Sequence, residues 1–207
     1  MRKVLISLLT VLGTITAHAQ LTDDFETNQQ GWTEISVKDG EALIKEGVMH
    51  IKSRKSDKSV FSVLPESPSE PNFIETHCYA PFDPSKDFEL KCEALAKKID
   101  DNNTFGIVFD YIDEGNFMVF RITEGQAELL RFKEYKLIGR IRSNLKLKKQ
   151  RKAALEFSIK NTFRKLEFGV NGMKIFEARY LPVNSMGIGF AVWGQQTVDF
   201  DNLIITQ

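Results

Sequence analysis

The sequence is poor in the residues that most metal and redox centres need, and it has no surplus of charge. It contains three histidines and two cysteines among 207 residues. Lysine plus arginine and aspartate plus glutamate each total 28, so the formal net charge is zero. A dedicated nucleic-acid-binding protein needs a basic surplus to contact phosphates. The composition therefore argues against a nucleic-acid partner, and the histidines form no cluster with metal-ligand spacing.

Long apolar runs are also lacking, apart from one near the amino terminus. A basic pair at 2–3 precedes the apolar stretch 4–15, and small residues at 17–19 fit a signal-peptidase site. The stretch is too short to cross ~30 Å of hydrocarbon as a permanent anchor. We therefore predict a signal peptide over 1–19 and a mature domain over 20–207. The mature domain is expected in the periplasm or outside the cell, without stable membrane insertion.

The two cysteines, Cys78 and Cys92, would reach an oxidising compartment if the chain is exported. A turn near Pro84–Ser85 would place them opposite each other on adjacent strands, where a disulfide is geometrically feasible. Two buried free thiols are the alternative explanation. Both alternatives stay open from the sequence.

Short alternating segments separated by turn residues fill the chain after the signal peptide. Five of the six prolines lie in 61–86, which predicts loops and edge pieces rather than a central strand. Glu46–Gly47 predicts a hairpin within 42–51, and Asn171–Gly172 predicts a type I′ turn within 165–177. No segment reads convincingly as a helix. The pattern predicts an all-β, two-sheet antiparallel sandwich.

Alternation within the strands separates an inward face from an outward face. In the hairpin of 104–111 and 116–123, pairing of Tyr111 with Asn116 gives an apolar inward face. It contains Phe105, Ile107, Phe109, Met118, Phe120 and Ile122. The opposite, mixed face is expected to meet water or a ligand, and contains Gly106, Val108, Asp110, Phe117, Val119 and Arg121. The inward residues expected in the other two hairpins are Ala42, Ile44, Met49, Ile51, Leu166, Phe168, Val170, Met173 and Ile175.

Four segments resemble the concanavalin A-like lectin/glucanase superfamily. They are DDFETNQQGW (23–32), TFGIVFDYIDEGNFMVFRI (104–122), KLEFGVNGMKIFE (165–177) and VDFDNLIIT (198–206). They follow the family's order and span essentially the whole mature chain. The resemblance includes laminin-G-like and keto-disaccharide hydrolase-like jelly rolls of exported bacterial type. It implies a jelly roll of two antiparallel sheets, and it implies a carbohydrate as partner, because many members bind glycans.

Catalytic residues are not assigned. Glycoside hydrolysis needs two carboxylates about 5–10 Å apart, and the Glu-x-Asp-x-x-Glu strand of the laminarinase-like branch is absent. The nearest approach to a catalytic carboxylate pair is Asp110 with Asp113 or Glu114. Ordinary solvent-exposed turn residues would explain these acids equally well. The less rigid signature of the keto-disaccharide hydrolase-like branch is not tested by a motif search.

Trp193 is the leading candidate for stacking on a sugar, because small residues of 187–191 share its face and would leave an open floor. Asp110 and Arg121 are the candidates for polar contacts with hydroxyl groups. The alternatives are packing of Trp193 under a loop and an ion pair for Arg121. Asp24 and Asp201 are candidates for a structural calcium site if the terminal strands pair, with ordinary strand-end acids as the alternative.

The leading interpretation is a secreted or periplasmic lectin-like domain that binds carbohydrate or serves in adhesion, without catalysis. One alternative is a small glycoside hydrolase or lyase of the same fold. Another is a structural β-sandwich that binds a protein partner through a sheet face and has no glycan ligand. No cofactor is expected apart from the structural calcium.

Overall fold

A computed structural model describes residues 19–54, 73–97, 103–123, 125–145, 153–163 and 165–207. Within these residues the regular structure consists of fifteen strands and no helix. Their bounds are β1 Ala19–Asp23, β2 Ile35–Val37, β3 Gly40–Lys45, β4 Val48–Arg54, β5 Phe73–Tyr79, β6 Phe88–Ala96, β7 Thr104–Asp113, β8 Asn116–Ile122, β9 Gln126–Lys133, β10 Lys136–Asn144, β11 Ala153–Thr162, β12 Lys165–Val170, β13 Met173–Arg179, β14 Gly187–Trp193 and β15 Gln195–Thr206. The prediction of an all-β chain is confirmed. Residues 1–18 lie outside the described part, so the signal peptide stays a prediction.

The strands form two antiparallel sheets. Sheet A has nine strands in the order β13-β12-β11-β6-β15-β4-β3-β2, with β1 beside β15. Sheet B has six strands in the order β10-β9-β8-β7-β14-β5. Alternate side chains of the two sheets meet in one apolar core, where the rings of Phe120 and Phe168 lie 5.1 Å apart. The predicted two-sheet sandwich is confirmed, and β5, from the proline-rich stretch, lies at an edge as expected.

The register predicted for the hairpin β7–β8 is confirmed over most of its length. Phe109 pairs with Met118, and Ile107 pairs with Phe120. All six residues predicted to face inward are buried in the core. The hairpin β3–β4 also turns at Glu46–Gly47 as predicted. Periodicity and turn chemistry therefore predict the register of local hairpins well.

A bulge ends this register near the turn between β7 and β8. Asp110 adopts a left-handed backbone with a φ of 51°, and pairing resumes with Asp113, rather than Tyr111, opposite Asn116. The displaced Tyr111 joins Val108 in a second buried cluster on the face of sheet B turned away from the core. We call this face the outer face of sheet B.

The hairpin β12–β13 has the predicted turn and an unpredicted bulge. Asn171 and Gly172 have φ values of 52° and 71°, as a type I′ turn requires. The bulge shifts the pairing beyond the turn, so Phe176 lies opposite Phe168 and stacks on it at 4.9 Å. The inward position predicted for Met173 is wrong, because this side chain is exposed beside the turn.

The disulfide between Cys78 and Cys92, which the sequence left open beside two buried free thiols, is not formed. Cys78 lies on β5 in sheet B and Cys92 on β6 in sheet A, so the two strands do not pair as a hairpin. Both residues are buried free thiols. Burial raises the pKa of Cys78 to about 12 and holds the pKa of Cys92 well above its ordinary value. Both cysteines therefore behave as small apolar core residues.

Candidate functional site

The outer face of sheet B is organised in rows that cross the strands. One row consists of Glu75, Ala191, Gly106, Arg121, Glu128 and Arg142, on β5, β14, β7, β8, β9 and β10. The next row consists of His77, Gly189, Val108, Val119, Leu130 and Arg140. Small residues of β14 therefore separate polar side chains on β5 from an apolar and charged region on β7 to β10.

Trp193 lies on this face, as the alternation predicts, but its ring is packed. It is 1% exposed. The ring of Phe73 lies 4.7 Å away, and the guanidinium of Arg121 lies 4.9 Å above the indole. The outer face is therefore buried around Trp193 rather than open to water. The sugar-stacking role of Trp193 stays a prediction.

Arg121 forms a buried ion pair with Glu128. The Nε and Nη2 groups of Arg121 donate to Glu128 Oε2 at 2.9 and 2.7 Å, and both side chains are fully buried. Arg142 Nε donates to Oε1 of the same carboxylate at 2.6 Å, and Arg140 Nε lies 4.0 Å from it. Arg121 thus completes a charge network inside the sheet face, and its contact with a ligand stays a prediction.

Asp110 organises the connection that leads into β14. Its Oδ1 accepts the backbone N–H groups of Asn184 at 2.7 Å and Ser185 at 2.8 Å. Burial raises the pKa of Asp110, while these hydrogen bonds and the charge of Arg131 lower it. Asp110 therefore holds two distant backbone groups in place, and a direct role in binding stays a prediction.

A cluster that the sequence analysis did not single out lies on the edge strand β5. We call Glu75, His77, Tyr79 and Tyr111 the β5 cluster. The imidazole of His77 stacks on Tyr111 with ring centroids 4.0 Å apart, across the side-chain-free Gly189 that pairs with His77. The ring of Tyr79 meets His77 edge-on at 6.2 Å and is exposed. The available signal was the alternation of Glu75, His77 and Tyr79 along one strand.

Two polar atoms of the β5 cluster have unused hydrogen-bonding capacity. Glu75 Oε2 and His77 Nδ1 are buried and have no hydrogen-bond partner among the described residues. Glu75 Oε1 lies 4.0 Å from His77 Nδ1, and the side chains of Glu75 and His77 keep 19% and 22% of their surface exposed. Unpaired buried polar atoms are costly. These two atoms are enclosed, so a ligand at the cluster would contact the exposed parts of Glu75 and His77 instead.

The shifted pKa values of Glu75 and His77 both favour the uncharged form of the side chain. Burial and the charge of Glu114 raise the pKa of Glu75 to about 7, against a hydrogen bond with Tyr111 that lowers it. Burial lowers the pKa of His77, although Glu114 raises it. Both shifts favour the neutral forms, so we regard the pair as a carboxylic acid beside an imidazole rather than as an ion pair.

The acidic residues proposed for calcium make other contacts. The terminal strands do pair, with Asp23 opposite Leu203. Asp24 Oδ1 accepts the N–H of Glu26 at 3.2 Å, and Asp201 Oδ1 accepts the N–H of Asn202 at 2.6 Å. In the described ranges no three His, Cys, Asp or Glu side chains come together as metal ligands would. This geometry provides no set of calcium ligands around Asp24 and Asp201, so the calcium site stays a prediction.

No helix in the described part of the chain is long and apolar enough to cross a membrane. No protein-family model matches the chain, and no curated protein is similar to it in sequence.

Solved structures match the fold across nearly the whole chain. A legume lectin-like domain from Entamoeba histolytica is 10% identical, covers 92% of this chain and 98% of its own, and has a TM-score of 0.60. The β-glucanase of Bacillus licheniformis is 10% identical, with coverages of 93% and 99% and a TM-score of 0.58. A Bacillus subtilis protein of unknown function with a galectin-like fold is 10% identical, with coverages of 93% and 97% and a TM-score of 0.58. At these identities the likeness concerns the fold alone, and that fold is the concanavalin A-like jelly roll.

Proposed function

We propose that this chain is an exported, non-catalytic carbohydrate-binding domain whose ligand contacts Glu75, His77 and Tyr79. The observation that carries the proposal is the exposed ring of Tyr79 beside the partly exposed polar side chains of Glu75 and His77. A sugar hydroxyl both donates and accepts hydrogen bonds, so it suits an acid and an imidazole. The lectin-like and galectin-like folds of similar proteins support the same ligand class.

Tyr79 would supply the stacking surface that the sequence analysis sought in Trp193. Its hydroxyl donates to the carbonyl of Ile112 at 3.2 Å, which anchors the far end of the side chain. The exposed ring lies next to His77 on the same strand face. An aromatic ring held in this way offers the C–H face of a sugar a preorganised surface at little entropic cost.

Binding is tested with a glycan array, followed by affinity electrophoresis of the purified protein on each glycan that is bound. Tyr79→Ala should weaken binding at least tenfold, since loss of a stacking ring at a hot spot costs about 2 kcal/mol. Glu75→Gln and His77→Ala should each cost about fivefold, because a hydrogen bond contributes about 1 kcal/mol. Tyr135→Ala, at the turn between β9 and β10, is the matched control, since Tyr135 is also an exposed tyrosine.

Two results would contradict this assignment. The first is a wild-type protein that binds no glycan on the array. The second is a loss of affinity in Tyr135→Ala as large as the loss in Tyr79→Ala. Export is tested separately: the amino terminus of the protein recovered from the periplasm or medium should be Gln20, and an uncleaved cytoplasmic protein would contradict it.

Glycoside hydrolysis is the second candidate, and the protonation of Glu75 favours it. A general acid must hold a proton at working pH, and the pKa of Glu75 is raised to about 7 by burial and by Glu114. Glu114, in the turn after β7, would then be the second carboxylate. Under this alternative the protein releases reducing sugar from a bound polysaccharide, and the rate falls above about pH 7. Glu75→Gln would abolish turnover and keep binding, whereas absence of turnover supports the non-catalytic assignment.

A further inference from the structure

A surface depression at the edge of sheet A lies on different strands from the β5 cluster. It has a volume of about 280 Å³ and is lined by Thr162, Phe163, Lys165, Arg179 and Tyr180. These residues lie where β11 turns into β12 and where β13 ends. We call it the Phe163 depression. A volume near the lower end of ligand pockets, about 300 Å³, suits one sugar unit rather than an oligosaccharide.

The two aromatic residues of the depression are unusually exposed. Phe163 is 89% and Tyr180 86% exposed, which are the highest values among the large apolar side chains of the described residues. Most exposed apolar residues need no explanation when they are scattered singly. Here the two extreme cases line the same depression, so their clustering points to a contact surface.

The backbone holds both rings outward at a conformational cost. Phe163 and Tyr180 have φ values of 49° and 60°, a left-handed conformation that bulky residues rarely adopt. The N–H of Phe163 donates to Asp87 Oδ1 at 2.9 Å, which fixes this turn. Strained residues of this kind concentrate at ligand-binding sites. Exposed rings in this conformation contribute nothing to the core, and Phe163 and Tyr180 differ from the equally left-handed Tyr135 in lining one depression together.

Cationic side chains border the aromatic rings. Lys165 pairs with Arg179 across β12 and β13. Lys165 Nζ lies 2.6 Å from Glu167, and Arg179 Nε lies 2.9 Å from Glu177. Lys174 bridges the two glutamates, and Asp87 at the N–H of Phe163 adds a third carboxylate, so recognition of an anion rests on Arg179 rather than on a net positive charge. The exposed Nη groups of Arg179 make no hydrogen bond with the described residues, so its fork remains available for a carboxylate.

We propose that the Phe163 depression binds an acidic sugar residue, a uronate, as a second ligand site of this chain. The C–H face of the sugar ring lies on Phe163 and Tyr180, and the uronate carboxylate accepts hydrogen bonds from Arg179. Two exposed rings, the guanidinium of Arg179 and a volume for one sugar unit suit a ligand that has a ring and an anionic group. This site shares no residue with the β5 cluster and goes beyond the function proposed above.

The test is affinity electrophoresis of the purified protein in gels that contain polygalacturonate or alginate. Fully methyl-esterified polygalacturonate is the neutral counterpart, because it keeps the sugar rings and lacks the charge. We expect retention by at least one uronate polymer at low salt, weaker retention at 0.5 M NaCl, roughly the level at which surface charges are screened, and weaker retention by the esterified polymer.

The variants separate the aromatic and cationic contributions. Phe163→Ala and Tyr180→Ala should each reduce retention by the uronate polymer about tenfold. Arg179→Gln should reduce it similarly and leave the residual retention by the esterified polymer unchanged. Phe163→Asn, which suits the left-handed turn, guards against a folding defect in Phe163→Ala. Tyr135→Ala is the matched control, since Tyr135 is 43% exposed and has a φ of 63°, and it should be retained like the wild type.

Each contrary outcome overturns the proposal. A wild type that is retained by neither uronate polymer has no such site. Retention that survives both aromatic substitutions places the binding elsewhere on the molecule. Equal retention by the esterified and the free-acid polymer shows that the depression does not recognise the carboxylate. These readouts do not depend on the β5 cluster, so failure here and failure of the main proposal are distinguishable.

Discussion

Replacement of Glu75 by glutamine should make the protein more stable, and more so at higher pH. The folded chain raises the pKa of Glu75 to about 7 from an ordinary value of 4.5. Between these values the folded protein keeps a proton that the unfolded chain has released, so unfolding releases a proton. The free energy of unfolding of the wild type therefore falls as pH rises through this window. Glu75→Gln has no proton to lose, so it escapes this decline.

The magnitude follows from the two pKa values. Each unit of difference between the folded and unfolded pKa corresponds to about 1.4 kcal/mol, so the wild type loses about 3 kcal/mol of its free energy of unfolding across the whole window. The side chain of Glu75 keeps 19% of its surface exposed, which lets water screen part of this energy. We expect Glu75→Gln to exceed the wild type by about 1 to 3 kcal/mol at pH 8 and to match it near pH 4.5.

Other titrating groups near Glu75 do not confuse the comparison. Burial lowers the pKa of His77, which makes stability rise with pH through the ordinary histidine range. Burial and the charge of Glu75 raise the pKa of Tyr111, and Glu114 lies close enough to influence all three groups. These side chains are present in both proteins, so their direct contributions largely cancel in the difference.

The assay is urea unfolding of both proteins at pH 5, 6, 7 and 8, followed by tryptophan fluorescence. Glu167→Gln is the opposite-sign control, because hydrogen bonds from Lys165 and Lys174 lower the pKa of Glu167 to about 2. Its charge stabilises the fold fully above the ordinary pKa of 4.5 and loses that effect only below it, so from pH 5 to pH 8 this variant should be slightly less stable than the wild type by a nearly constant amount. A stability difference for Glu75→Gln that stays constant from pH 5 to pH 8 would refute the reasoning.

Three further predictions concern buried groups. Trp193→Ala should lower the free energy of unfolding by about 3 to 5 kcal/mol, since the ring is 1% exposed; a loss below 1 kcal/mol in urea unfolding would show that the ring is not packed. Glu128→Gln should cost about 3 to 5 kcal/mol, because Arg121 then stays buried without its counter-charge; an unchanged urea midpoint would contradict the buried pair. Cys78 and Cys92 should be unreactive towards a thiol reagent in the folded protein, and both should react once the protein is unfolded in the absence of reductant. Fewer than two reactive thiols per unfolded chain would indicate a disulfide.

Local pattern was enough to predict the hairpins but not their bulges. The alternation of β7 and β8 places Phe109 opposite Met118, as found. The break lies at Asp110, whose carboxylate accepts the backbone N–H groups of Asn184 and Ser185; these groups are distant in sequence and approach only in the folded chain. No local signal in residues 104–122 reports that contact, so the alternation alone predicts the wrong position for Tyr111.

The candidate site could be predicted only in part for the same reason. The alternation of β14 correctly puts Trp193 and the glycines on one face, but it is silent on what covers them. Phe73 and Arg121 reach Trp193 from strands that are neighbours only in the sheet. The stack of His77 on Tyr111 likewise needs β14 to lie between β5 and β7. Tertiary neighbours, rather than local sequence, decide which outward residues remain accessible.

The charged end of sheet B also bears on how copies of this protein behave towards one another. Among the described residues, strand β10 ends the sheet and leaves a row of backbone groups on which another strand could add. It also carries exposed Ile138 and Ile141, which would favour such an addition. Arg140 and Arg142, which neutralise Glu128, line the same strand. Their positive charges would oppose each other in an antiparallel pairing of two β10 strands, so the residues that complete a buried ion network also discourage edge-to-edge aggregation.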